Sequence, residues 1–213
     1  MDFSTWLPFF LATVAISLSP GPGAIAAMGS GLNNGFRRGQ VVAFGLALGV
    51  ITQLLVVGVG LGALLATSET AFAVVKWVGA AYLVYLGVQQ WRSPASPITA
   101  KDATSANAAQ AASRKSIFLR GWMVNAMNPK GTVFLLAVLP QFIDMGRPLP
   151  LQYLHIGATF SVVEFCVMTG YVALASKVLG LLREPRQIRW MNRSFGSLFV
   201  AAGVFLATFK RAA

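Results

Sequence analysis

Mostly apolar, nearly uncharged runs recur along the chain. They fall at roughly Phe3–Met28, Val41–Leu65, Ala71–Trp91, Phe118–Phe142, Leu151–Ser176 and Ser194–Phe209. A run of about 18 or more such residues is long enough for a helix to cross a bilayer. The pattern therefore predicts an all-α integral membrane protein with six transmembrane helices. Several runs exceed the crossing length, which predicts tilts or breaks. Two of them carry breakers: "SPGPG" at 19–23 in the first run and "MNPKG" at 127–131 in the fourth.

Composition supports the membrane reading. Of 213 residues, 56% are hydrophobic and 11% charged, with a mean hydropathy of +0.67, whereas soluble domains carry about 25% charged residues. The formal charge of +11 could suggest nucleic acid, but the basic residues gather in alternate loops. Arg37 and Arg38 lie in the first, Arg92, Lys101, Arg114, Lys115 and Arg120 in or beside the third, and Lys177, Arg183, Arg186, Arg189 and Arg193 in the fifth. Cytoplasmic loops collect Lys and Arg, so no nucleic-acid partner is needed. The same rule puts both termini outside, with Lys210 and Arg211 dissenting. The fifth loop interleaves its charges with Leu, Ile and Trp, a composition suited to the anionic inner leaflet. The single Cys166 falls within a span, leaving no disulfide framework and no cysteine metal site. Ala24-Ile25-Ala26 mimics a signal-peptide cleavage site, but the residues before it include Asp2 and no basic side chain, against the usual pattern.

The segment Arg92–Lys115, rich in Ala, Ser and Thr with two prolines, reads as a flexible cytoplasmic linker. It divides the chain into a three-helix repeat (1–91), a linker (92–117) and a second three-helix repeat (118–213). With an odd number of spans per half, the second repeat is inverted relative to the first. Pro20 precedes Arg37 at nearly the spacing at which Pro129 precedes Arg147. Gly/Pro-interrupted segments at corresponding places in two halves point to the binding site of an inverted-repeat transporter.

Proline lacks the amide that a helix interior needs and pushes the preceding residue, here Ser19, Gly21 and Asn128, toward extended geometry. Helix ends exposed at membrane depth are tolerated only against protein or a water-filled cavity. The half-helix that restarts presents free N–H groups suited to a carboxylate. Asn125, Asn128 and Thr132 share a helical face in the fourth span, and Gly157, Ser161, Glu164 and Tyr171 one in the fifth. In the second span Gly45 and Gly49 read as packing positions, while Gln53, four residues on, reads equally as a site residue or an interhelical contact. Lys130 and Glu164 are ionisable groups inside spans, which are functional candidates by default; pairing with each other is the plainer alternative. Lys130 lies roughly 18 Å into its span at helical rise, which makes snorkelling difficult. Lys76 and His155 sit nearer span ends. "GSGLNNG" (29–35) superficially matches a dinucleotide loop but follows no strand. No HExxH, GxSxG or metal-ligand cluster is present, so an enzyme activity has no visible home.

Together "SPGPG", "NNGFRRG", "KWVGAAYLVYLGVQQWR" and "NPKGTVFLLAVLPQF" resemble the LysE/RhtB family of bacterial amino-acid exporters over nearly the whole chain. The resemblance implies proton-driven export across the inner membrane and gives weight to Pro20, Gly21, Pro22, Asn128, Pro129 and Lys130. The expected substrate-binding residues are Ser19, Pro20, Gly21, Pro22, Gln53, Asn125, Asn128, Pro129 and Lys130, with Glu164 coupling protons and no cofactor or metal. A dibasic amino acid would need a second buried acid, so a neutral or small polar one is preferred. The partners expected are that amino acid, membrane lipid and, as an option, further copies of the chain. The rival readings are an ion or metal exporter on the same scaffold and a membrane-embedded protein without transport activity.

Overall fold

The computed structural model describes residues 1–65, 69–92, 113–144 and 146–177, with isolated positions between 186 and 204. Most of the expected linker, most of the expected sixth span and the side chain of Lys76 lie outside this description. The described elements are α1 (Phe3–Leu18), α2 (Pro22–Gly39), α3 (Val41–Leu65), α4 (Glu69–Arg92), α5 (Arg114–Ala126), α6 (Pro129–Phe142) and α7 (Leu149–Lys177). Among the described residues, α3 and α7 are each long and apolar enough to cross a membrane. The α1–α2 pair, bent by 57° at its break, makes a third span if counted as one.

Helix extents match the hydrophobic runs in α3, α4 and α7 and depart from them elsewhere. The chain beyond Met28, expected as a loop, continues as helix to Gly39 with a single non-helical residue, Gly35, at φ 67°. Glycine's weak helix preference is offset here by close packing. A Cβ on Gly31 would lie 2.5 Å from the Val172 carbonyl oxygen, so only glycine lets α2 lie so near α7. Similarly, α5 begins inside the expected linker because the Ser113 hydroxyl caps it, accepting from the Ser116 amide at 3.1 Å.

Two apolar clusters fix the direction of the broken helices. One joins Phe9 and Ile16 of α1, Val50 and Leu54 of α3, Phe134 and Val138 of α6, and Ile156 and Phe160 of α7. The other joins Ala27 of α2, Leu46 of α3, Ile117 of α5, and Met168 and Val172 of α7. Thus α1 and α6 meet at one end of the bundle, and α2 and α5 at the other. The two broken helices therefore run antiparallel, with their interruptions between the clusters. At the first end, Arg147 in the α6–α7 loop pairs with Asp2 at 3.1 Å and Asp144 at 3.3 Å. Its hydrogen bond holds the Asp2 carboxyl below the usual carboxylate range.

Small residues set how closely α3 approaches α5. A Cβ on Gly45 would run into the Phe118 carbonyl oxygen, and one on Gly121 into that of Val42. On Gly49 it would lie 2.7 Å from Asn125 Cβ. These glycines are packing positions, and the contact they allow carries Gln53 up to the α5–α6 break. Beyond it, α4 packs through Gly87 on Gly196, and the Trp91 indole donates to the Arg193 carbonyl at 2.6 Å.

Gly45→Ala and Gly121→Ala are expected to destabilise the protein by about 1–3 kcal/mol through overpacking. Gly60→Ala, where a Cβ meets nothing within 4 Å, should be neutral or slightly stabilising. Thermal unfolding of the detergent-solubilised variants checks this, and equal melting temperatures for all three would contradict the backbone contact.

Candidate functional site

Both interruptions follow from proline. Ser19 (φ −70°, ψ 122°) and Gly21 (φ −163°, ψ −169°) are extended, as residues before proline must be. Helix α2 then restarts with Pro22 in its first turn, where the missing amide costs nothing. In the second interruption Asn128 is extended at φ −76°, ψ 109°, caps α6 by accepting from the Lys130 amide at 3.1 Å, and is followed by Pro129 in the first turn. Sequence spacing pairs Pro20 with Pro129, but it is Pro22 that has the role of Pro129.

The carbonyls at each break are met from the other half of the chain. The last carbonyls of α1 have no intrahelical donor. Leu18 O accepts from the Tyr171 hydroxyl at 2.7 Å, and Ser19 O from Lys130 Nζ at 2.6 Å. At the second break, Asn128 O accepts from Gln53 Nε2 of the other half at 2.8 Å and, within α6, from Thr132 Oγ1 and the Thr132 amide, both at 3.2 Å.

Between the breaks lies Glu164, only 5% exposed. Its two oxygens accept from Ser17 Oγ at 2.7 Å and Asn125 Nδ2 at 3.2 Å. Asn125 Nδ2 also donates to Leu46 O at 2.8 Å, and Asn128 Nδ2 to Asn125 Oδ1 at 3.3 Å. The cavity they enclose measures about 30 Å³, room for one or two waters. Its walls include an acid, a base and the start of α2, which has no side-chain cap. A cation can be held at Glu164, and an anion at Lys130 and the α2 amides.

Of the residues singled out from sequence, Ser19, Gly21, Gln53, Asn125, Asn128, Lys130 and Glu164 all line this one cavity. Pro20, Pro22 and Pro129 direct the backbone rather than forming its wall. Ser161 and Gly157 turn instead to a separate apolar groove between α3 and α7, flanked by Leu55 and Val162. His155 is exposed, its Nδ1 on the Leu151 carbonyl at 2.7 Å. Sequence reasoning gave no binding role to Gly23 and Gly131 and passed over Phe160 and Met168, all of which also line the cavity. Gly131 closes the "MNPKG" motif, and that was its available signal. The apolar pair had none beyond helical spacing from Glu164.

The LysE type translocator family profile matches residues 14–209. The chain is 42% identical to a homoserine/homoserine lactone efflux protein of Salmonella typhi over 212 residues, spanning 100% of both chains. An uncharacterized membrane protein of Vibrio cholerae is 41% identical over 99% of this chain and 100% of its own length. A leucine efflux protein of Klebsiella pneumoniae is 27% identical over 96% of this chain and 95% of its own. No solved structure matches the chain.

Tyr171→Phe removes the donor to the Leu18 carbonyl and leaves a part-buried acceptor unmet, which costs about 1 kcal/mol. A lowered melting temperature with unchanged helix content is the expected result, read by circular dichroism in detergent. An unchanged melting temperature would mean that the carbonyl finds another donor.

Proposed function

We propose that this chain, which belongs to the LysE type translocator family, is a secondary transporter. It exports a neutral or small polar amino acid, of homoserine, threonine or leucine type, across the bacterial inner membrane. The observation that carries this reading is the convergence of two antiparallel helix breaks on one buried cavity holding Lys130 and Glu164.

In this reading the substrate's α-carboxylate lies against the free amides at the start of α2, with Lys130 adding charge. Its ammonium lies against Glu164. Glu164 is the one buried acid among the residues whose side chains are described, which favours a neutral substrate over a dibasic one. The efflux protein of Salmonella typhi, by its name, handles a small polar amino acid and its lactone, and its identity to this chain exceeds that of the leucine efflux protein. Both facts favour the small polar end of the range.

A cavity of about 30 Å³ is far smaller than an amino acid, which supports a reading in which the site opens to take its substrate by alternating access. Two inverted three-helix repeats, 1–91 and 118–213 joined by the 92–117 linker, supply that movement. The antiparallel course of α1–α2 and α5–α6 supports the inversion, and so does the packing of α3 on the second broken helix and of α7 on the first. The distribution of Lys and Arg favours periplasmic termini. Protonation of Glu164 frees the ammonium and so couples proton entry to release.

Proteoliposomes loaded with radiolabelled homoserine test the reading. Wild-type protein is expected to release homoserine faster when an inward proton gradient is imposed. Glu164→Gln should lose that acceleration by an order of magnitude or more, and Asp2→Asn, at the exposed ion pair, should keep it. Gradient-driven efflux surviving in Glu164→Gln would sink the coupling role. No flux of any amino acid through the wild type would sink transport itself.

A further inference from the structure

Gln53 is 2% exposed and reaches the α5–α6 break from α3. Its amide nitrogen is committed to two acceptors, Asn128 O at 2.8 Å and Thr132 Oγ1 at 3.2 Å. The Thr132 hydroxyl donates its own proton to Asn128 O, so toward Gln53 it can only accept. This fixes the amide's orientation, since a flipped amide would set its oxygen against the Asn128 carbonyl. Gln53 Oε1 is consequently left facing away, buried and without a hydrogen-bond donor. Ser19 Oγ, on a residue 3% exposed, is in the same condition. Both residues line the cavity between the breaks.

The other polar groups around the cavity are differently placed. Both Glu164 oxygens already accept hydrogen bonds, and Asn125 and Asn128 are tied to each other and to neighbouring backbone. The amide oxygen also has little freedom to shift toward α6, because Gly131 packs against it. A Cβ on Gly131 would stand 2.6 Å from Oε1. When the cavity is open, water can supply the missing donor. When it closes on a substrate, the substrate must, because a buried acceptor left unpaired is penalised heavily in a low-dielectric site.

We infer that Gln53 discriminates among substrates. Its Oε1 accepts from a side-chain hydroxyl of the bound amino acid, with Ser19 Oγ as second partner. A hydroxyl-bearing amino acid is therefore exported in preference to an apolar one of the same shape. The inference rests on the transport reading above and adds the residue that chooses. Sites built to bond a hydroxyl reject the analogue lacking it far more strongly than an apolar pocket rejects an added one.

The test compares pairs matched in shape, homoserine with norvaline and threonine with valine, for efflux from proteoliposomes holding the full chain. Wild type is expected to favour the hydroxyl member of each pair by at least about tenfold in kcat/KM. Gln53→Met should bring the ratio near one, through a larger loss of kcat/KM for homoserine than for norvaline. Gly131→Ala displaces the amide without deleting any hydrogen-bonding group and should lower the ratio as well. It carries the test should Gln53→Met fail to fold for want of its bond to Asn128. A wild type that does not discriminate, or a ratio unchanged in folded Gly131→Ala, overturns the role of Gln53 and leaves transport standing. Absence of flux for every amino acid overturns the transport reading first.

Discussion

A helix that stops inside an apolar slab leaves carbonyl groups that neither water nor its own next turn can satisfy. This constraint governs the arrangement of the whole molecule. The end of α1 is completed by Tyr171 and Lys130, which belong to the second half of the chain. The start of α6 is pinned by Gln53, which belongs to the first. Each interruption takes donors from the other half of the chain. The two halves therefore interlock at one level, and two of the groups that interlock them, Lys130 and Gln53, also line the cavity.

The rest of the packing serves that level. Apolar clusters lie on either side of it, and both draw on α3 and α7. Those two long helices act as struts through the polar layer, carrying Gln53 and Glu164 where they pass it. Gly45 and Gly49 bring α3 into backbone contact with α5, and one turn later the same face presents Gln53 to the break. A bulkier residue at either glycine would move Gln53 away from the Asn128 carbonyl. Packing and chemistry are thus successive positions of one stripe on one helix.

Much of this arrangement was legible in the sequence, and the parts that were not share a cause. The hydrophobic runs located α3, α4 and α7 closely because their length and apolarity are local properties. Proline's covalent constraints place both interruptions, and the expense of a charge within a span singles out Lys130 and Glu164. What escaped depended on partners. Residues 29–39 fall beyond the apolar run that ends at Met28 and so read as loop, but they are helical, and the backbone of Val172 makes glycine necessary at Gly31. Spacing matches Pro20 with Pro129, whereas the first turn of the restarting helix gives that part to Pro22. Ser161 was grouped with Glu164 by periodicity, yet it turns to the apolar groove between α3 and α7. Gly131 is needed only because an amide oxygen from another helix lies against it, and nothing within one segment could announce that.

The dependence of the first break on Tyr171 and Lys130 also bears on how the protein is made. Synthesis runs from the N-terminus, so α1 through α4 emerge well before α6 and α7. Until those later helices arrive, the Leu18 and Ser19 carbonyls have no designated donors. The early chain must wait near the membrane interface, keep water at the break, or lean on other proteins of the insertion apparatus. The prolines set the break between α1 and α2 locally, but its carbonyls are met only when Lys130 and Tyr171 have joined the bundle.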